Sequence, residues 1–124
     1  MKVLEKQSQK WLKKRAWLVF SKFIRKRDKK CFTCGADTTQ AGHWRHGHTK
    51  AGFFDPRNIR GQCTKCNLYL SGNGQVYSLR MAELYGLEEA NKMWKEFSKD
   101  HNWTRRELIE IIKTFEKEID KLDN

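Results

Sequence analysis

No stretch of this sequence has the length of apolar residues that a membrane span needs. Nor does its start carry the charged, apolar, small-residue pattern of an export signal. These two absences predict a soluble chain of the cytoplasm with no membrane partner. Internal repeats and low-complexity linkers are also missing, and 124 residues suffice for one compact domain but not comfortably for two. We therefore read residues 1–124 as one domain. Cysteine is sparse too. There are four, and all fall in two Cys-x-x-Cys pairs, Cys31/Cys34 and Cys63/Cys66. Without export, that pairing argues for a metal over disulfides.

Acidic residues are in deficit, at 15 against 26 Lys and Arg, for a net charge of +11. The excess is uneven: residues 1–30 carry +10, residues 31–86 carry +3, and residues 87–124 carry −2. A basic N-terminal end suits phosphate, because each Lys or Arg at a phosphate releases condensed counterions. The pattern predicts a helix over about 8–29. Trp17, Phe20 and Ile24 lie on one stripe, with Leu12, Ala16, Val19 and Phe23 beside it. Lys22, Arg25, Lys26 and Arg27 are its candidate DNA contacts.

Residues 76–124 are helical again. A helix holding Val76, Leu79, Ala82 and Leu84 ends at Gly86, a natural C-cap. A second covers about 87–99, with Leu87, Ala90, Met93, Trp94 and Phe97 on one face. Thr104-Arg105-Arg106-Glu107 is a capping box for a third, whose stripe runs Leu108, Ile111, Ile112, Phe115, Ile119, Leu122. These three helices are expected to pack as a small bundle.

The middle, residues 31–75, holds all four cysteines, most of the glycines, the only proline (Pro56) and three of the four histidines. Its apolar periodicity is weak, as in a loop-rich module that a metal holds together. Cys31-Phe32-Thr33-Cys34-Gly35 and Cys63-Thr64-Lys65-Cys66 read as two knuckles. Four thiolates would complete a tetrahedral structural zinc and leave no position open for water. Between and just after the knuckles lie His43, Asn58 and Asn67, in the order of a ββα-metal (His-Asn-His) nuclease. Phosphodiester hydrolysis needs a base, and neutral imidazole at His43 suits that role. It also needs a hard cation, Mg2+ or Mn2+, for which Asn67 offers an oxygen. Asn58 would hold the His43 loop by backbone hydrogen bonds. Arg45 and Arg60 are candidates for gripping phosphate.

Several stretches together resemble the NinG/Rap recombination endonucleases of lambdoid phages. They are Phe23-Ile24-Arg25-Lys26-Arg27-Asp28, Cys31 with Cys34-Gly35, Ala41-Gly42-His43-Trp44-Arg45, Arg57-Asn58-Ile59, Gln62-Cys63 with Cys66-Asn67, Ser71-Gly72-Asn73, and Asn102-Trp103-Thr104. The resemblance covers about residues 14–122. It implies a phage- or prophage-encoded nuclease that cuts D-loops and Holliday junctions. It also implies a site designed like that of the endonuclease VII type of resolvase, where Asn follows the last zinc cysteine. This chain departs from related nucleases at Gly42, where many have Asp or His as a second metal ligand. Gln40, Asp37, His46, His48 and Asn73 are the alternatives. Phe53-Phe54-Asp55-Pro56 is also less basic than expected, and the chain lacks the long N-terminal extension of some members.

The resulting expectation is an α+β, mostly helical fold: a zinc-stabilised ββα-metal core flanked by helices. A two-fold dimer would supply the two cuts that a junction requires. The competing expectations are a zinc-knuckle nucleic-acid-binding protein without catalysis, and an adaptor whose basic helix binds an acidic partner.

Overall fold

The computed structural model describes residues 3–124. Helix α1 (Gln9–Arg27) begins where the Ser8 hydroxyl accepts the Trp11 N–H at 3.1 Å, and ends with three basic residues that favour the negative end of its dipole. The first cysteine knuckle follows, then strand β1 (Gln40–His43). A connection containing a short turn of helix (Ala51–Phe54) leads to strand β2 (Ile59–Gln62). The strands pair antiparallel, with Gln40 opposite Gln62 and His43 opposite Ile59. The second knuckle opens a single wide turn (Lys65–Tyr69). Helices α2 (Gly74–Tyr85), α3 (Leu87–Phe97) and α4 (Arg105–Asp123) complete the chain. The fold is thus mixed α+β and mostly helical, with one small sheet. No helix among the described residues is long and apolar enough to cross a membrane.

Two apolar clusters flank the sheet. In the first, Leu12, Ala16, Val19, Phe20 and Ile24 of α1 meet Leu108, Ile112 and Ile119 of α4, closed by Phe54 and Ile59. Phe20 sits at its centre, fully buried, with Phe115 edge-on at 4.7 Å and Phe54 edge-on at 5.9 Å. The second joins Trp44 to Tyr77 and Met81 of α2 and to Ala90, Met93 and Phe97 of α3. The expected three-helix C-terminal bundle is therefore not formed. The α4 stripe closes on α1, because both helices run 19 residues and each offers apolar side chains along that length, while α2 and α3 pair with each other over Trp44.

The capping box at Thr104 is present, with Thr104 and Glu107 satisfying each other's backbone N–H groups. The buried face of α2 differs from expectation. Tyr77 and Met81 are buried, whereas Leu79 and Leu84 are exposed, because a polar handle on Tyr77 reaches the Gly42 carbonyl at 2.9 Å and draws that face inward. On α3, Leu87 and Trp94 lie toward solvent while Ala90, Met93 and Phe97 pack.

Phe20→Ala should cost roughly 3–5 kcal/mol of unfolding free energy, the usual loss for a core phenylalanine. Chemical denaturation will measure this. A loss under about 1 kcal/mol would mean that the α1–α4 seam collapses around the cavity and is not the main core.

Candidate functional site

The four cysteine sulfurs lie within 4.8 Å of one another. Cys34 Sγ and Cys63 Sγ are 3.6 Å apart. That is far beyond a disulfide bond and close to the ~3.8 Å edge of a tetrahedron with metal–sulfur bonds of about 2.3 Å. Gly35, at φ +83°, turns the first knuckle so that its N–H reaches the Cys31 carbonyl at 2.9 Å. In the second knuckle the Cys66 N–H points at Cys63 Sγ, at 3.4 Å. Burial alone would raise the Cys31 thiol, but the Thr33 hydroxyl and nearby backbone N–H groups outweigh it and bring it down to about 6. Cys34 is pushed up to about 12: the Ala36 N–H favours its thiolate, but the neighbouring sulfurs oppose a further charge. Thiolates crowded in this way call for a cation between them. The donor set fits a structural zinc held by Cys31, Cys34, Cys63 and Cys66.

The hairpin carries two different faces, since successive strand residues point to opposite sides. Gln40, Gly42 and Gln62 share one face with Asn67, whose amide nitrogen donates to Gln40 Oε1 at 2.6 Å. Asn67 is held in place by its neighbour Cys66 and by its own N–H, which donates to the Cys63 carbonyl at 3.0 Å. Gly42 has no room for a side chain. A Cβ there would lie 1.8 Å from Gln62 Oε1 and 2.8 Å from Asn67 Oδ1. Gln62 itself is fully buried. Its amide nitrogen donates to the Gly72 carbonyl at 3.0 Å and to Thr33 Oγ1 at 3.1 Å. Because a carbonyl only accepts, that fixes which way the amide faces. Gln62 Oε1 is left buried with no donor among the described residues, an arrangement that ordinarily costs about 1–3 kcal/mol.

His43 occupies the other face, at the end of β1. Its ring stacks near-parallel to Trp17 at 4.9 Å and to Phe53 at 4.8 Å. Its Nε2 lies 3.2 Å from the Phe53 carbonyl and so must carry the proton it donates there. Nδ1 therefore keeps its lone pair. Burial against the aromatic rings pulls the imidazole from 6.5 down to about 4, with the Phe53 carbonyl opposing in part and His46 adding to the fall. His43 is therefore neutral at neutral pH.

Asn58, wholly buried, makes three hydrogen bonds to the connection between the strands. Its Oδ1 accepts the Arg45 N–H at 2.9 Å, and its Nδ2 donates to the carbonyls of Arg45 at 3.0 Å and Gly52 at 2.9 Å. It thereby closes the loop that follows His43.

The alternatives to Gly42 separate clearly. Asp37 is paired with Lys30 at 2.6 Å, on the outside of the first knuckle. The Asn73 amide is directed at Cys66 Sγ, at 3.7 Å. His48 stands edge-on to Phe53 at 6.3 Å. The Gln40 oxygen is taken up by Asn67. Only His46 remains near both halves of the site: its ring is 6.1 Å from His43, and its Nε2 is 3.0 Å from where a Cβ on Gly72 would sit.

Most of the expected phosphate contacts have partners within the chain. Arg27 holds Asp28 and the carbonyls of Pro56 and Ile59 at 2.8–2.9 Å. Arg60 bonds Tyr85 Oη and lies over the Phe32 and Tyr85 rings. Arg45 bonds Ser98 and the His46 carbonyl. Lys26 is paired with Asp123, Arg25 bonds Ser21, and Lys22 shares a groove with the α4 carboxylates Glu116 and Asp120. A different cluster flanks His43; the sequence puts Lys13 and Lys14 on the basic side of α1 but does not join them to the histidine. Lys10, Lys13 and Lys14 line a groove of about 380 Å³ with Trp17, His48 and Phe53, and no carboxylate lines it. The signal for it was the spacing of Lys10, Lys13 and Lys14 seven, four and three residues before Trp17, which puts all four on one side of α1.

Taken together, these features define a mixed α+β, mostly helical protein with a four-cysteine cluster that fits a metal and a basic, aromatic groove beside a polar hairpin. The chain belongs to the NinG family: it matches the profile described as Bacteriophage Lambda NinG protein over residues 1–124. It is 32% identical over 118 residues to Protein ninG of Salmonella phage P22, covering 90% of this chain and 57% of that protein. To Protein ninG of Escherichia phage lambda it is 31% identical over 120 residues, covering 92% of this chain and 58% of that one. The chain thus spans less than two thirds of these relatives' length. No solved structure matches it.

Two outcomes follow from the geometry. Protein prepared without added metal should carry one zinc per chain by elemental analysis, and stripping it should unfold the middle module. Less than about half an equivalent in folded protein would rule the site out. Separately, the His43 ring protons should titrate near pH 4 by NMR. Because folding depresses this group, its contribution to stability is complete above about 6.5 and is lost as pH falls toward 4. A midpoint near 6.5 would mean that the ring is solvated.

Proposed function

We propose that this chain is a metal-dependent, structure-specific DNA endonuclease that cuts branched recombination intermediates such as Holliday junctions and D-loops. The observation that carries this reading is His43: a neutral imidazole with Nε2 tied to a carbonyl and Nδ1 left with its lone pair, one residue from a cluster of amide oxygens. In this reading the middle module is a ββα-metal site, with β1, β2 and the turn at Lys65–Tyr69 as its three parts.

His43 Nδ1 takes a proton from water as the water attacks the scissile phosphate. The Phe53 carbonyl holds the ring and steadies the imidazolium that forms. Asn58 keeps the loop after His43 closed, so that the ring is presented at one angle. Asn67 would hold a hard divalent cation, Mg2+ or Mn2+, through Oδ1. When bound, that cation supplies charge stabilisation at the phosphate and the leaving oxygen. Lys10, Lys13 and Lys14 neutralise phosphates beside Trp17 and Phe53. Two symmetric cuts across a four-way junction need two copies of the site, which a two-fold pair of chains provides.

His43→Ala should lower the cleavage rate of a synthetic junction by on the order of a hundred- to ten-thousand-fold, with the zinc content and the retarded DNA complex unchanged. Cleavage within about threefold of wild type would transfer the base to another residue, and His46 is the nearest. A wild-type chain that binds junctions but never cuts them with Mg2+ or Mn2+ would leave a non-catalytic binding protein.

Replacing Lys10, Lys13 and Lys14 by Gln should weaken junction binding and flatten its salt dependence by roughly one unit of slope per lost contact. The same changes at Lys22 and Lys26 should do less, because α4 carboxylates already face them. Equal effects from both sets would place the DNA along the whole of α1.

A further inference from the structure

We infer that the amide oxygen of Gln62 is a ligand of the catalytic divalent cation, paired with Asn67 and taking the place of the side chain that Gly42 lacks. The inference rests on the nuclease reading and deepens it.

Three observations converge. Gln62 Oε1 is buried with no hydrogen-bond donor among the described residues. Its direction is not arbitrary, because the amide nitrogen is held by the Gly72 carbonyl and by Thr33. And the oxygen lies where a residue-42 side chain would begin, 1.8 Å from an ideal Cβ, with Asn67 Oδ1 2.8 Å from the same point. Two amide oxygens of hard character therefore meet over Gly42. Each is fixed through its own nitrogen, Gln62 by Gly72 and Asn67 by Gln40. Oxygen ligands of this type suit Mg2+ and Mn2+ and not soft metals. Both are neutral, so the DNA phosphate would supply most of the negative charge around the ion, and the cation should bind more tightly with substrate than without.

The same contacts explain the glycine. A side chain at residue 42 would collide with Gln62, so the two positions are alternatives for one ligand.

The test titrates Mn2+, followed by electron paramagnetic resonance, into the zinc-loaded full chain with and without a synthetic four-way junction. Gln62→Met keeps the volume and removes the oxygen. It should weaken Mn2+ binding at least about tenfold while retaining one zinc. Gly42→Asp alone should bind poorly, since the new side chain meets Gln62. The double variant Gly42→Asp/Gln62→Ala should recover Mn2+ binding, because an aspartate then has both space and a role. That recovery also covers the case in which Gln62→Met fails to fold.

Mn2+ affinity unchanged in Gln62→Met would overturn the inference, leaving Gln62 as a buried polar group satisfied by water. If Asn67→Ala and His46→Ala abolish binding while Gln62→Met does not, the second ligand is His46 and the nuclease reading stands. If the wild type takes up no Mn2+ even with the junction present, the nuclease reading itself fails and the inference with it.

Discussion

The convergence of four sulfurs from two distant segments is the constraint on which the rest of this structure depends. Cys31 and Cys34 follow α1, whereas Cys63 follows β2 and Cys66 lies in the turn after it. Residues 31–75 have too little apolar periodicity to hold themselves together, and their sheet has only two strands of four residues each. Joining the knuckles fixes the far end of β2, and with it Gln62, which precedes Cys63. It also fixes the turn that carries Asn67, which follows Cys66. The polar side chains of the site are thus placed by their cysteine neighbours rather than by a core.

A strand then divides the labour. Because Gly42 and His43 are consecutive on β1, their side-chain directions oppose each other. One face is polar and crowded with amides. The other is aromatic, with Trp17 from α1 and Phe53 from the connection walling in His43. The aromatic wall does two things at once: it orients the ring, and it removes the water that would otherwise favour imidazolium. Neither face could do the other's work. Amides around His43 would stabilise imidazolium and raise its pKa, leaving less of the ring neutral at neutral pH, while aromatic rings around Asn67 would offer a cation no oxygen.

How much of this was legible in the sequence depends on whether neighbours along the chain or across it decide the outcome. The capping box at Thr104, the extent of α1, and the pairing of the cysteines are local patterns, and the structure contains them. Helix partnership is not local. Nothing in the stripe from Leu108 to Leu122 says that it will meet α1 and not α2. The buried face of α2 was misread because Tyr77 looks amphipathic while Leu79 and Leu84 look like core, and only the Gly42 carbonyl across the hairpin decides the matter. Charge was legible in amount but not in placement. Lys22, Arg25, Lys26 and Arg27 form the densest run, yet α4 and Asp28 face that part of the helix. Gln62 was invisible for a related reason: a glutamine in a strand is unremarkable until its oxygen is found buried without a donor.

The placement of charge bears on what the proposed nuclease can recognise. Glu116, Asp120 and Asp123 of α4 lie beside Arg15, Lys22 and Lys26 of α1, whereas no carboxylate lines the groove of Lys10, Lys13 and Lys14 beside the rings that hold His43. A phosphate drawn to Lys10, Lys13 and Lys14 therefore arrives next to the imidazole, and not a helix length away. The groove floor is aromatic, and Lys13 already lies 5.9 Å over the Phe53 ring. Aromatic faces give little to a stacked duplex, whose bases are hidden, but they can receive a base that has left its partner. Under the proposed reading, lysines spaced along one side of α1 would bind any DNA backbone, whereas the exposed parts of Trp17 and Phe53 would add binding only where strands separate. Preference for a branch over uninterrupted duplex would then come from the wall that keeps His43 neutral, so that recognition of the branch and activation of water share the same two rings.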